Sequence, residues 1–146
     1  MLIKLLPDQV TKFWKIISFA INESLPPVAI GTRNRLNNML KEILARRAHV
    51  WFNMQKRDES FEISAVLVTH VYTDPMSEVK SLVIYCLYAT AFNSDQTWAK
   101  GCETLRTFAR SLGCHRVVGY TNSERVRQVI EANGGSTKYT FVSLEV

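Results

Sequence analysis

Two apolar runs, Phe61–Tyr72 and Val79–Ala91, flank the breaker pair Asp74-Pro75 and carry apolar side chains on both faces. Runs of this kind belong in a sheet that is covered on both sides. They therefore fix an α/β class before any motif is considered, and the remaining segments must supply the cover. With 146 residues, of which 47% are hydrophobic, the chain fits one domain of the size, about 100 to 150 residues, at which a single core is comfortable.

The cover is legible on either side of these runs. From Asp8 to Leu25, Val10, Phe13, Trp14, Ile17 and Ile21 recur at helical spacing until Pro26-Pro27 stops the pattern. Gly31-Thr32 offers the next helix start, and Leu36, Met39, Leu40, Ile43 and Leu44 form a second stripe up to Arg47. Trp98, Cys102, Leu105, Ala109 and Leu112 form a third stripe, ended by Gly113. Val126, Val129 and Ile130 form a fourth, capped by Ser123 and ended by Gly134-Gly135.

Strands are expected at Leu2–Leu6, His49–Gln55, Phe61–Tyr72, Val79–Ala91, Arg116–Thr121 and Thr137–Val146. Three consecutive strands pair antiparallel, and the strand, helix, strand unit from Val79 to Thr121 pairs parallel through a right-handed crossover. The expected architecture is a mixed, mostly antiparallel sheet with a central parallel pair, flanked by about four helices in one domain spanning residues 1–146. No repeat or linker divides it.

Composition bounds the function classes. No run of about 18 apolar residues is present, and Met1–Leu6 meets Pro7 and Asp8 too early for a secretion signal, so a soluble, unprocessed, cytoplasmic chain is expected. Cys86, Cys102 and Cys114 are odd in number and unpaired by motif, which fits reduced thiols. His49, His70 and His115 are scattered, without the short ligand spacings of a metal site. The net charge of +5 permits anionic partners. Arg33, Arg35, Lys41, Arg46 and Arg47 cluster on one segment, but they share it with an apolar stripe and lack an aromatic-studded basic groove.

The stretch "TLRTFARSLGCHRVVGYTNSERVRQVIEANGG", with the element order of the whole chain, resembles the GCN5-related N-acetyltransferase (GNAT) family. The resemblance implies a fold whose strand–helix junction holds acetyl-coenzyme A, with a Gln/Arg-x-x-Gly-x-Gly/Ala turn offering main-chain donors to the pyrophosphate. Helix N-termini attract anions in general, and glycine lets the main chain approach them. Matched to that turn, Asn93–Trp98 has no glycine at either place. A slipped match, Gln96, Thr97, Trp98, Ala99, Lys100 and Gly101, keeps the glutamine and the last small residue. Tyr88 and Ala89 would then lead the main chain to the cofactor. The residues themselves also allow Ser94 or Asp95 to act as a plain helix cap.

The resemblance further implies a proton donor in the last helix, where Ile130 stands in place of a tyrosine. Tyr120 is the substitute within reach, and His70 and Glu78 are the candidates for the base. The alternation through Val66 and Val68 also makes His70 a packed core residue.

Three functions follow. The first is a protein of this fold with an eroded acyl-coenzyme A site, binding a protein partner or an assembly. Small phage virion and accessory proteins of this shape exist, which would place it in a host cytoplasm or a virion, and a homo-oligomer stays open. The second is an N-acetyltransferase using acetyl-coenzyme A through an atypical loop. The third is a nucleic-acid-binding accessory protein.

Overall fold

The computed structural model describes residues 1–29 and 34–146. The expected helix start at Gly31-Thr32, and Arg33 with it, lies outside the described residues. Five strands, β1 (Leu2–Lys4), β2 (Ala48–Arg57), β3 (Ser60–Thr73), β4 (Lys80–Ala89) and β5 (Arg116–Gly119), form one sheet in the order β1-β2-β3-β4-β5. The first four pair antiparallel and β4 pairs parallel with β5. The mixed sheet is the one expected from sequence.

Among the described residues, five helices cover it: α1 (Pro7–Lys12), α2 (Trp14–Glu23), α3 (Arg35–Leu44), α4 (Asp95–Ser111) and α5 (Glu124–Ala132). The single helix expected over Asp8–Leu25 divides at Phe13, whose backbone (φ −102°, ψ 15°) ends α1 and starts α2. The apolar phase survives the break, because Val10, Ile17 and Ile21 are all buried in one cluster.

The sheet's two faces build two cores. On one, Val50, Phe52, Val66, Val68 and Cys86 pack under α1, α2 and α3. On the other, Trp51, Leu67 and Leu82 pack under Leu105 and Ala109 of α4. Alternation along β2 assigns Val50 and Phe52 to one core and Trp51 to the other. Gly113 (φ 72°) and Gly134 (φ 82°) take the left-handed conformation just beyond α4 and α5, where glycine avoids the Cβ clash.

Two corrections concern the C-terminal segment. Thr137–Val146 contains no strand; Tyr139, Val142 and Leu144 are exposed, and the segment touches the sheet's end through an edge-on contact of the Phe141 and Tyr120 rings, 5.6 Å between centroids. Strand-forming side chains need a pairing edge to express that preference, and here the contact is made by side chains. As a result β5 is the outer strand among the described residues. The parallel pair therefore sits at one side of the sheet instead of its centre.

Candidate functional site

The site is built by the way β4 ends. Ser81 to Ile84 pair with Arg116 to Gly119, and there the parallel ladder stops. β4 itself continues to Ala89, still paired on its other side with β3 as far as Ala65. Beyond Ile84 and Gly119 the two neighbours no longer pair, and the edge of β4 from Tyr85 to Ala89 is the candidate cleft. A register shift marks its start: Val68 pairs with Cys86 and Thr69 with Ile84, so Tyr85 is an extra residue, a β-bulge where the β5 ladder ends. Bulges increase local twist and re-aim side chains.

Tyr85 packs against the α1–α3 core, and its ring meets that of His70 at 6.1 Å. Burial raises the Tyr85 pKa above its ordinary value, with the nearby Arg35 charge opposing. His70 thus shares a face with Val66 and Val68, as the alternation requires. Tyr88 packs on the same side, edge-on to Phe19 of α2 at 5.7 Å.

At the far end of the cleft the junction from β4 to α4 is pinned from below. A second bulge makes Ser64 the extra residue in β3, between Asn53↔Ala65 and Met54↔Ile63. Ser64 Oγ donates to Asn93 Oδ1 at 2.7 Å and accepts from Asn53 Nδ2 at 2.7 Å. Asn93 Nδ2 donates to the carbonyls of Ser64 (3.2 Å) and Ala91 (3.0 Å). All three residues are buried, so their polar groups satisfy one another away from water, as buried polar groups must. Thr90 adds a main-chain bond to the Ser64 carbonyl, 3.0 Å, and a hydroxyl bond to the Ile63 carbonyl.

The first turn of α4 carries a side-chain cap. Ser94 is the N-cap: its Oγ accepts from the Thr97 amide at 3.2 Å and lies 3.0 Å from Thr97 Oγ1. Asp95, in the first turn, is paired with the Arg125 guanidinium of α5. Carboxylates stabilise helix N-termini, and one standing there repels a diphosphate from the same place. Gln96, Thr97, Trp98, Ala99 and Gly101 are all inside α4, so the slipped match places no turn ahead of the helix. A Cβ added at Gly101 would meet nothing within 4 Å. The residues present therefore do not fit the pyrophosphate turn that the fold's cofactor would require.

The proton-transfer candidates are dispersed. Tyr120 follows β5 directly and is partly exposed beside the cleft. His70 lies one strand away from the cleft, against Tyr85. Glu78 is exposed in the β3–β4 hairpin, two residues before β4 begins, and β4 itself then runs about 30 Å to Ala89 at 3.3 Å per strand residue. Ile130 packs against the turn that ends α5, where a Cβ on Gly135 would fall 2.4 Å from its Cγ2.

Other sequence candidates take ordinary structural places. Cys86, Cys102 and Cys114 are free thiols, and burial pushes Cys86 up to about 11. Among the basic residues near α3, Arg35 donates to Asn22 Oδ1 and Arg47 pairs with Glu42. Among the described residues no group of three His, Cys, Asp or Glu converges as metal ligands, and no helix is long and apolar enough to cross a membrane. Sequence reasoning missed the Asn53–Ser64–Asn93 triad and the Tyr85 bulge. A polar Asn53 inside the apolar run Val50–Met54 was the available signal for the first.

The fold as a whole finds its counterparts in solved structures. A predicted acetyltransferase with acetyl-coenzyme A from Clostridium acetobutylicum aligns at TM-score 0.69 and 14% identity, over 99% of this chain and 95% of that one. Glucosamine-6-phosphate N-acetyltransferase from Arabidopsis thaliana aligns at 0.65 and 17%, over 99% and 97%. An aminoglycoside acetyltransferase from an uncultured soil metagenomic sample, in complex with sisomicin, aligns at 0.68 and 14%, over 100% and 94%. This chain has the GNAT fold. No protein-family model and no curated protein matches the sequence. The GNAT likeness spans nearly the full length of each chain at low identity, and at such identity it speaks for the fold alone.

Proposed function

We propose that the chain is a binding protein on the GNAT fold, engaging a protein partner or an assembly, with the main-chain cleft retained and its diphosphate end closed. One observation carries the reading: the Thr97 amide in the first turn of α4 is taken by Ser94 Oγ, with Asp95 and Arg125 paired at the same helix start. The isoleucine at the expected acid position and the absence of glycine from Asn93 to Lys100 agree with it.

A second reading, an acetyl-coenzyme A-dependent N-acyltransferase, is favoured by the separation of β4 from β5 after Ile84 and Gly119. In that reading His70 takes the acceptor's proton and Tyr120 supplies one, while Glu78 is too remote.

Thermal unfolding with excess acetyl-coenzyme A separates the two. A ligand at one hundred times its Kd adds about 2.7 kcal/mol to the folded state, worth several degrees in Tm for a domain of this size. The binding-protein reading expects an unchanged Tm at millimolar cofactor. A saturable rise overturns it in favour of the enzyme.

A further inference from the structure

An open cavity of about 140 Å³ lies at the other side of the sheet from β5, between the β1–α1 connection, the start of β2 and the end of α3. Its floor is formed by Val10, Ile43, Ala48 and Val50, all buried. The basic residues that line it are Lys4, Arg46 and His49, and burial together with the Lys4 charge lowers the His49 pKa, favouring its neutral ring. Lys4 Nζ stands 4.8 Å over the Phe108 ring and the His49 ring packs edge-on to Phe108 at 5.2 Å, so both side chains turn toward the α4 face. Arg46 is the cation left at the open side.

The backbone at Arg46 singles it out. The Arg46 amide bonds to the Ile43 carbonyl at 3.0 Å and the Arg47 amide to the Glu42 carbonyl at 2.9 Å, the paired bonds of a helix terminus whose next residue is left-handed. That residue is Arg46, at φ 61°. Glycine adopts this conformation freely, whereas a branched-out side chain is strained in it. An arginine is thus held in glycine's place at the mouth of an apolar cavity, and residues kept in such conformations mark candidate ligand clamps.

We propose that this cavity binds a small amphipathic anion, a straight-chain alkyl carboxylate, with its tail against Val10, Ile43 and Val50 and its carboxylate paired with Arg46. The guanidinium fork matches a carboxylate in two parallel bonds. The volume equals that of four or five waters at about 30 Å³ each, which suits a tail of a few carbons. The site is independent of the cleft at β4 and takes a free small molecule.

The test is a methyl-resolved NMR titration of the intact chain with hexanoate, with acetate and hexanol as controls for the tail and the charge. Hexanoate is expected to move the Val10, Ile43 and Val50 methyls saturably, with Kd on the order of 1 mM for so few heavy atoms. Acetate and hexanol should bind at least tenfold more weakly. Arg46→Gly keeps the helix terminus and should melt no lower than the parent, while weakening hexanoate at least tenfold. Non-saturable shifts, shifts confined to other residues, equal affinity for hexanol, or undiminished binding by Arg46→Gly would each overturn the proposal.

Discussion

The two halves of β4 are built on opposite terms. From Ser81 to Ile84 the strand is held by β3 on one side and by β5 on the other. From Tyr85 to Ala89 it has β3 alone, begins with a bulge and leads into a junction pinned by Asn93. The first half is ordinary sheet interior, in which Leu82 is fully buried beneath α4. The second half leaves its edge free of β5. The difference teaches that backbone pairing sets where the edge is free, whereas the side chains of the junction set its chemistry. The fold is kept here with no glycine from Asn93 to Lys100.

The comparison can be pressed with substitutions on each half. The largest effect belongs to the closed half: Leu82→Ala should lower unfolding free energy by about 3 kcal/mol through the cavity it leaves, read from urea denaturation. A loss below about 1 kcal/mol would mean that the interior half is not close-packed.

Next comes a pH effect at the start of the open half. Cys86 has an ordinary value of 9.0, raised to about 11 by burial in the α1–α3 core. Below pH 9 the thiol is protonated in both states and costs nothing. Between the two values the thiolate forms in the unfolded chain alone, so stability should fall by about 1.4 kcal/mol per pH unit from this group. Unfolding curves from about pH 8 to about pH 11 should show that slope in the parent and its removal in Cys86→Ala. Identical slopes would place Cys86 in contact with water.

Asn93→Ala addresses the junction. It strips partners from buried Ser64 and Asn53, so a loss of about 2 kcal/mol is expected, with hydrogen exchange accelerated at Thr90–Asp95. Unchanged exchange there would show that the loop is held by something other than the triad.

The smallest effect runs the other way. Gly101 sits inside α4 with open space where a Cβ would be, so Gly101→Ala should stabilise the protein by about 0.5–1 kcal/mol. A destabilised variant would show that the main chain there needs glycine's freedom after all, reviving an anion site on the first turns of α4.

Much of this molecule could be read before it was seen. The stripes through Val10, Ile17 and Ile21 and through Leu105 and Ala109 mark the faces that are buried, because a helix repeats its surface every three to four residues whatever lies opposite. That same robustness hid the break at Phe13: a single non-helical residue leaves the apolar phase intact. The alternation that set His70 beside Val66 and Val68 holds because strand side chains alternate locally.

What failed to be legible depends on a second strand. An extra residue such as Tyr85 or Ser64 can be recognised only by counting residues on the strand it pairs with. Thr137–Val146 has strand-forming side chains, yet whether they pair is decided by the edge they meet. Nothing near Asn93 in sequence tells that its side-chain amide is buried against Ser64 of β3. The Ser94 cap is legible in the sequence because capping is a local rule, and the structure shows Ser94 at the N-cap of α4.

The Asn53–Ser64–Asn93 triad carries a further consequence. Because two strands and a loop are locked together by groups that never see solvent, the rim of the opening acquires its contour as the chain folds. A ligand bound there would meet a rim already framed, with little conformational entropy to surrender on that side. Reshaping that rim would require recutting the frame from within the sheet.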